Sequence, residues 1–347
     1  MKNRQIRLKT KAPLPTTPLG RTGMQITRTG FGAWAIGGSG WTFGWGQQDD
    51  ADSIAAIRHA LECGINWIDT AAVYGLGHSE EVVASALQGM PASERPYIFT
   101  KCGLVWDERN HAAPPRQVGD PASIRREVEG SLRRLKLERI DLYQMHWPAE
   151  DGTPLEAYWQ TLLDLKAEGK VRAVGLSNHD ARQLARAERI GHVDSLQPPF
   201  SAIHRGAAVN ELPWCKEHET GVIVYSPMQS GLLTGAFTAE RAARLPADDW
   251  RSRSPDFGGE GLRRNLALVD TLRPIAQRHG STVAAVAVAW TLAWPGVTGA
   301  IVGARRPAQI DDWLAAATLE LSAADLDAIA ETIGRLDVGS GPTRTAR

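Results

Sequence analysis

The fold class the sequence predicts is α/β, as a single (β/α)8 TIM barrel with an N-terminal β-hairpin and a long loop after the seventh strand. Three observations carry that expectation. Apolar strand-like runs alternate with helix-like stripes almost throughout, eight strand signals can be counted, and nearly every run ends on a polar or aromatic residue. Strands buried on both faces should otherwise stay apolar to the end. A chain of 347 residues is long enough for one barrel or for two smaller domains.

The elements follow in order. Met1 to Pro15 is basic and contains proline, and no apolar stretch follows it, so it is not a secretory signal. Residues 1–16 are expected as a mobile tail, 17–335 as the barrel domain and 336–347 as a C-terminal tail. Thr17 to Thr29 carries Gly20-Arg21-Thr22-Gly23 between short alternating segments and predicts a hairpin able to plug the barrel bottom. The first strand lies near Gly30 to Trp34. A helix from Ala51 to Cys63 follows, with Ile54, Ile57 and Leu61 on one face, Asp50 as N-cap and Gly64 as its stop. The second strand ends at Asp69, and Ser79 is the expected cap of the next helix, which buries Val82, Val83, Ala86 and Leu87.

The third strand ends at Lys101, and its helix stripes Ile124, Val128, Leu132 and Leu135. The fourth ends at His146 and leads to a helix over Leu155 to Ala167, stopped by Gly169. Strands five to eight are Val171 to Leu176, Val193 to Gln197, Gly221 to Tyr225 and Gly299 to Val302. Helices over Asn265 to His279 and Val283 to Trp294 lie between the last two. The segment Gly235 to Arg263, with Asp248-Asp249-Trp250-Arg251 and Phe257 to Gly261, breaks the rhythm and is placed to fold over a ligand. A doubly wound open sheet is the main alternative, but it needs GxGxxG after the first strand. Neither Gly37-Gly38-Ser39-Gly40 nor Gly75-Leu76-Gly77-His78-Ser79 has that spacing, and no solenoid repeat is present.

Composition narrows the function classes. With 43% apolar and 22% charged residues, a large core is possible, and 39 basic residues balance 39 acidic ones. That balance removes the electrostatic case for a nucleic-acid or membrane-surface partner. No run approaches the roughly 20 apolar residues of a membrane helix. Cys63, Cys102 and Cys215 are scattered, and none sits in a CxxC pair. They predict a reducing, cytoplasmic setting, no disulfide framework and no metal. His78, His111 and His179 also lack metal-ligand spacing.

The strand ends carry the chemistry. Asp69, Tyr74 in the loop after it, Lys101 and His146 gather a carboxylate, a phenol, an ammonium and an imidazole at one end of a sheet. A free phenol, with a pKa of about 10, is a poor acid near neutrality. A nearby ammonium favours the phenolate, so Lys101 is expected to lower Tyr74, with Asp69 holding Lys101 protonated. His146 would orient the substrate oxygen. This is a proton-donating site suited to a carbonyl that receives hydride.

Trp67-Ile68-Asp69-Thr70-Ala71-Ala72-Val73-Tyr74-Gly75 resembles the aldo-keto reductase signature. Phe99-Thr100-Lys101 and Gln144-Met145-His146-Trp147-Pro148 are similar to that family's lysine and histidine segments, and the likeness runs from about Thr17 to Ile333. It implies NAD(P)H-dependent reduction of aldehydes and ketones, or the reverse oxidation, on small-molecule carbonyl or alcohol substrates. Tyr74 would be the general acid/base, Lys101 and Asp69 its tuning pair, and His146 the orienting residue. It also implies that Ser177, Asn178 and Gln197 hold the nicotinamide carboxamide, with Tyr225 beneath the ring and Trp34 nearby. Ser226, Pro227, Met228, Gly231 and Leu233 would belong to the pyrophosphate loop. Gly303, Arg305, Gln309 and Asp312 would serve the adenosine end, opening the last barrel helix. Arg305 as a partner for a 2′-phosphate argues for NADP, with NAD possible. Many family members have asparagine where this chain has Trp313.

Trp34, Trp41, Phe43, Trp45, Trp106 and Trp147 are candidates for the substrate walls. Two other classes compete. A cofactor-sensing regulatory subunit would turn over slowly, yet all four catalytic residue types are retained and no extended partner-binding tail is visible. A barrel hydrolase would need a nucleophile–base pair or a metal cluster, and neither is legible. Substrate identity, direction and oligomeric state are left open by the sequence.

Overall fold

The computed structural model describes residues 13–246 and 249–344. Thus residues 1–12 of the expected N-terminal tail, residues 247–248 of the long loop and residues 345–347 lie outside the described residues. The barrel closes as eight parallel strands: β3 (Thr29–Gly32), β4 (Trp67–Asp69), β5 (Tyr97–Cys102), β8 (Ile140–Met145), β9 (Val171–Ser177), β10 (Ser195–Gln197), β11 (Gly221–Val224) and β12 (Gly299–Gly303). β12 pairs with β3 in the register Ala300↔Thr29 to Gly303↔Gly32, which leaves no sheet edge.

An antiparallel hairpin, β1 (Thr16–Pro18) with β2 (Gln25–Thr27), precedes the barrel. Thr16, expected in the tail, pairs with Thr27, so order begins at least one residue earlier than the sequence indicates. The hairpin supplies Leu19, Met24 and Ile26 to the barrel interior, where they pack with Trp67, Phe99, Leu142, Ala173, Ile223 and Ile301. All three are fully buried, worth about 1.5–3 kcal/mol each by area. Trp67 Nε1 donates to the Thr27 carbonyl at 2.8 Å and ties plug to barrel. Gly30 is required by this packing, since a Cβ there would stand 2.1 Å from the Trp67 ring.

The surrounding helices are α1 (Asp50–Glu62), α2 (His78–Ala86), α3 (Pro121–Leu135), α4 (Leu155–Ala167), α5 (Ala181–Glu188), α6 (Glu211–His218), α7 (Ala239–Ala243), α8 (Gly259–Arg278), α9 (Val283–Leu292), α10 (Pro307–Asp311) and α11 (Ala323–Leu336). A small ribbon of β6 (Leu104–Val105) and β7 (Arg116–Gln117) decorates the loop after β5. Two expected caps are corrected. Asp49, not Asp50, caps α1, its carboxylate accepting from Ala51 N and Asp52 N. Ser79 lies inside α2 and is buried, its hydroxyl donating to the Ala33 carbonyl, while Gly77 stands at the N-cap. That hydroxyl anchors α2 to the strand-end loop of β3 instead of ending a helix.

The long segment after β11 is more ordered than expected. It contains α7 and two 3-10 turns (Trp250–Arg253 and Pro255–Phe257), and α8 begins at Gly259 rather than near Asn265. Phe257 is buried against Phe237 and Trp250. The last barrel helix is broken: α10 spans five residues, a 3-10 turn follows, and α11 completes the layer. The C-terminal segment is docked onto the body. Val338 is buried, and the Arg205 guanidinium donates to the carbonyls of Ala202, Ile203, Val338, Gly341 and Pro342. No described helix is long and apolar enough to cross a membrane.

Candidate active site

Parallel strands bring their C-terminal ends to one rim, and this is where the four sequence-predicted groups meet. Lys101 points inward from β5 and is buried, so its ammonium must find partners. It donates to Asp69 Oδ2 at 2.6 Å, to the Thr70 carbonyl at 2.9 Å and to Tyr74 Oη at 3.3 Å. Gln197 Nε2 donates to the other Asp69 oxygen at 2.9 Å, so both carboxylate oxygens are engaged. Tyr74 leads a tight turn in which Gly75 has φ +60°, and a Cβ on Gly75 would stand 2.2 Å from the Gly37 carbonyl oxygen. The His146 ring packs edge-on to Tyr74 with centroids 5.7 Å apart.

Burial dominates the electrostatics. It pushes the Tyr74 phenol well above its usual value, and the Asp69 charge adds to the rise. The sequence-based expectation that Lys101 lowers this phenol is therefore corrected: desolvation outweighs the ammonium in the resting site. Burial pulls Lys101 down, opposed by Asp69 and then by Glu80. It likewise pushes Asp69 up against the pull of Lys101. His146 is held well below the usual imidazole value, by burial first and Lys101 second, and is neutral at pH 7.

A cleft of about 770 Å³ runs from these groups across the rim. Asp69, Tyr74 and His146 line it with Trp34, Trp41, Phe43 and Trp147. Trp45 lines it too, 5.6 Å from the Trp34 ring, whereas Trp106 packs behind with Trp41 and Val73. Asn178, Gln197, Tyr225, Ser226, Pro227, Met228 and Gly231 also line it, as do Gly303, Arg305, Gln309, Asp312 and Trp313. Two candidates stand behind the wall instead of on it. Ser177 is fully buried, its hydroxyl donating to the Gln197 carbonyl at 2.9 Å, and Leu233 is fully buried as well. Asn178 is bonded at both ends, accepting from Tyr225 Oη at 2.8 Å and donating to the His146 carbonyl at 2.9 Å.

Several contributors were not legible in the sequence. Arg241, Arg251 and Arg273 reach the cleft, as do Thr282, Val283 and Ala284 at the N-terminus of α9. Arg251 is held by Asp249, donates to the Ser230 carbonyl and lies 4.9 Å over the Trp45 ring, joining the two loops that flank the cleft. His179 Nδ1 lies 2.8 Å from the Ser177 carbonyl oxygen, and its Nε2 meets Tyr158 Oη at 2.8 Å. Its pKa is lowered to about 4 by burial, so it is neutral; Nδ1–H then donates to the carbonyl and Nε2 accepts from the phenol. Arg305 does not stand free: its guanidinium donates to Gln48 Oε1 and to the carbonyls of Trp45 and Gln47.

A model of the aldo/keto reductase family matches residues 28–333, most of the chain and all eight barrel strands. The chain belongs to the aldo/keto reductase family. This aldo/keto reductase is 36% identical over 299 residues to "Aldo-keto reductase YhdN" of Bacillus subtilis, covering 85% of this chain and 86% of that one. It is 35% identical over 331 residues to the "NADH-specific methylglyoxal reductase" of Escherichia coli, covering 92% and 98%. Among solved structures, the glycerol dehydrogenase of Gluconobacter oxydans superposes with a TM-score of 0.85 at 35% identity, over 96% of this chain and 99% of that one. The protein is therefore an oxidoreductase of this family, built on the closed barrel described above.

Proposed function

We propose that this aldo/keto reductase is an NADP-preferring enzyme that reduces aldehyde or ketone carbonyls to alcohols, or runs the reverse, with Tyr74 as general acid/base. The observation that carries the reading is the placement of Lys101 Nζ between Asp69 and Tyr74 Oη, two residues that line the cleft. The rest of the cleft has the chemistry a dinucleotide needs. Tyr225 offers an aromatic wall, the arginines and the α9 N-terminus offer positive potential, and Arg305 with Gln309 offers polar contacts. A reduced nicotinamide, when bound, supplies the hydride.

The protein's own part is proton delivery. Tyr74 holds its proton in the resting site because burial keeps its pKa high. A substrate oxygen gaining negative charge is a stronger base than the phenol and takes that proton. Lys101, fixed by Asp69 and the Thr70 carbonyl, then faces a developing phenolate and stabilises it without reorganising. Neutral His146 can donate one N–H to the same substrate oxygen and fix its direction. Trp41, buried and 6.3 Å from the Tyr74 ring, shields the phenol from water, which strengthens these interactions. Short carbonyl compounds are the favoured class, since the Escherichia coli relative is named for methylglyoxal and the Gluconobacter one for glycerol.

Fluorescence titration with NADPH and NADH, followed by methylglyoxal or 4-nitrobenzaldehyde while the nicotinamide absorbance is read, tests the proposal. Tyr74→Phe should keep cofactor binding and lower turnover by roughly 10²–10⁴-fold. Unchanged turnover would remove Tyr74 from the role. Arg305→Ala should weaken NADPH far more than NADH, and equal weakening would show that Arg305 does not read a 2′-phosphate. The NADH-specific relative makes this comparison decisive for coenzyme preference. Tight cofactor binding with no oxidation of any aldehyde would favour a sensing role.

A further inference from the structure

We propose that His59, Cys63 and Asp311 form a binding site for a zinc-class divalent cation at the junction of α1 and α10, away from the catalytic rim. His59 and Cys63 are four residues apart at the end of α1, which puts both side chains on one face. Asp311 comes from the end of α10, 252 positions after His59. Both partners converge on one atom. His59 Nε2 lies 2.9 Å from Asp311 Oδ1 and 3.7 Å from Cys63 Sγ, and the three donor atoms lie within 4.8 Å of one another.

The spacing suits a metal. Zinc bonds of roughly 2.0–2.3 Å in a tetrahedron put neighbouring donors about 3.3–3.6 Å apart. The two contacts of His59, at 2.9 and 3.7 Å, bracket that range, and the Cys63–Asp311 pair, within 4.8 Å, closes by no more than about 1.5 Å to admit the ion. Helical spacing brings the Cys63 thiol to the nitrogen that Asp311 meets from the other helix, so three different donor types share one point. The donor set also selects the metal class. One imidazole, one sulfur and one carboxylate suit zinc and its neighbours, whereas calcium and magnesium require oxygen ligands. Cys63 is sealed from solvent and Asp311 is exposed, so a water can complete the fourth position from the solvent side.

The location gives the site a consequence. Gln309 lies on α10, and its Oε1 accepts from the backbone N–H groups of Arg305 and Arg306. Arg306 in turn meets Asp52 on α1. A cation bridging His59, Cys63 and Asp311 would therefore clamp to α1 the short helix whose Gln309 lines the cleft. Binding releases the thiol proton, because the thiolate is the ligand.

The test uses full-length, tag-free, chelator-treated protein titrated with cobalt(II), then zinc. One equivalent of cobalt should produce a thiolate-to-metal charge-transfer band, release about one proton per site and be bleached by zinc. Cys63→Ser should abolish the band, and His59→Asn and Asp311→Asn should each weaken binding by at least roughly tenfold. Absence of the band, its survival in Cys63→Ser, or unchanged affinity in Asp311→Asn would each overturn the site. Asp311 is exposed, so its variant remains informative even if Cys63→Ser fails to fold. Far-ultraviolet circular dichroism on every variant separates ligand loss from unfolding.

Discussion

Replacing Lys101 with methionine should separate what the buried ion pair does for stability from what it does for chemistry. Both side chains are almost wholly shielded from solvent, 0% for Lys101 and 3% for Asp69. Lys101→Met leaves the Asp69 carboxylate with Gln197 as its remaining side-chain donor. Stranding a buried charge in this way costs about 3–5 kcal/mol. At roughly 2 °C per kcal/mol for a domain of this size, the thermal midpoint should fall by about 6–10 °C. The loss should depend on pH, because Asp69 without its ammonium takes a proton more readily in the folded state. A carboxyl with a raised folded pKa binds more protons when folded, so the variant's stability falls as pH rises from the unfolded value through the folded one. The deficit should thus be larger at pH 7 than at pH 4. Adding Asp69→Asn removes the stranded charge, and an asparagine oxygen can still accept from Gln197, so the double variant should regain most of the lost stability. Turnover should stay low, by roughly 10²–10⁴-fold, in the single and the double variant alike. Thermal melts and single-turnover rates on the four proteins of this cycle are the assay. A single variant that melts within 1–2 °C of the parent (less than about 1 kcal/mol), or a double variant no more stable than the single, would refute the stranded-charge reasoning.

Three further outcomes follow from contacts away from the reacting atoms. Tyr158→Phe removes the phenol that His179 Nε2 accepts from, so the Ser177–Asn178 turn should loosen and cofactor Kd should rise while kcat at saturating cofactor changes little. Because the His179 pKa is lowered to about 4 when folded, the neutral form stabilises the fold above pH 6.5, and that contribution, at most about 3 kcal/mol, is lost as pH falls from 6.5 to 4. A flat melting midpoint across that window in the parent, with a slope in His179→Asn, would contradict it. Gly30→Ala places a methyl 2.1 Å from the Trp67 ring and should destabilise by about 1–3 kcal/mol through overpacking, read by chemical denaturation.

Much of the barrel is legible because its signal is local. Trp67-Ile68-Asp69 and Tyr97 to Lys101 each show an apolar run broken by one charged residue, and in the structure that residue stands at the strand end. The same locality explains the errors. Asp49 and Asp50 are adjacent carboxylates, and composition does not say which one leaves the helix to cap it. Ser79 has the residue type of a cap, but the carbonyl it satisfies belongs to Ala33, 46 positions away. Helices α5 and α6 are eight residues each, and each buries only two residues (Leu184 and Ala187; Leu212 and Cys215), too short a stripe to stand out. In the candidate site, Asp69, Tyr74, Lys101 and His146 were legible from strand ends and motif together. Arg251 over Trp45 and Tyr158 on His179 were not, since each depends on a contact between distant loops or helices. The resting acidity of Tyr74 was misjudged for a related reason: residue types reveal a neighbouring charge, but only packing reveals how completely water is removed.

The hairpin that stoppers the barrel base also gives the molecule a handle. Its turn exposes Arg21, whose partner Glu219 is exposed too, on the side opposite the catalytic rim. The three native thiols are all buried. A lone surface thiol introduced as Arg21→Cys would therefore direct a maleimide support to one spot, and every immobilised molecule would present its cleft outward to the stream.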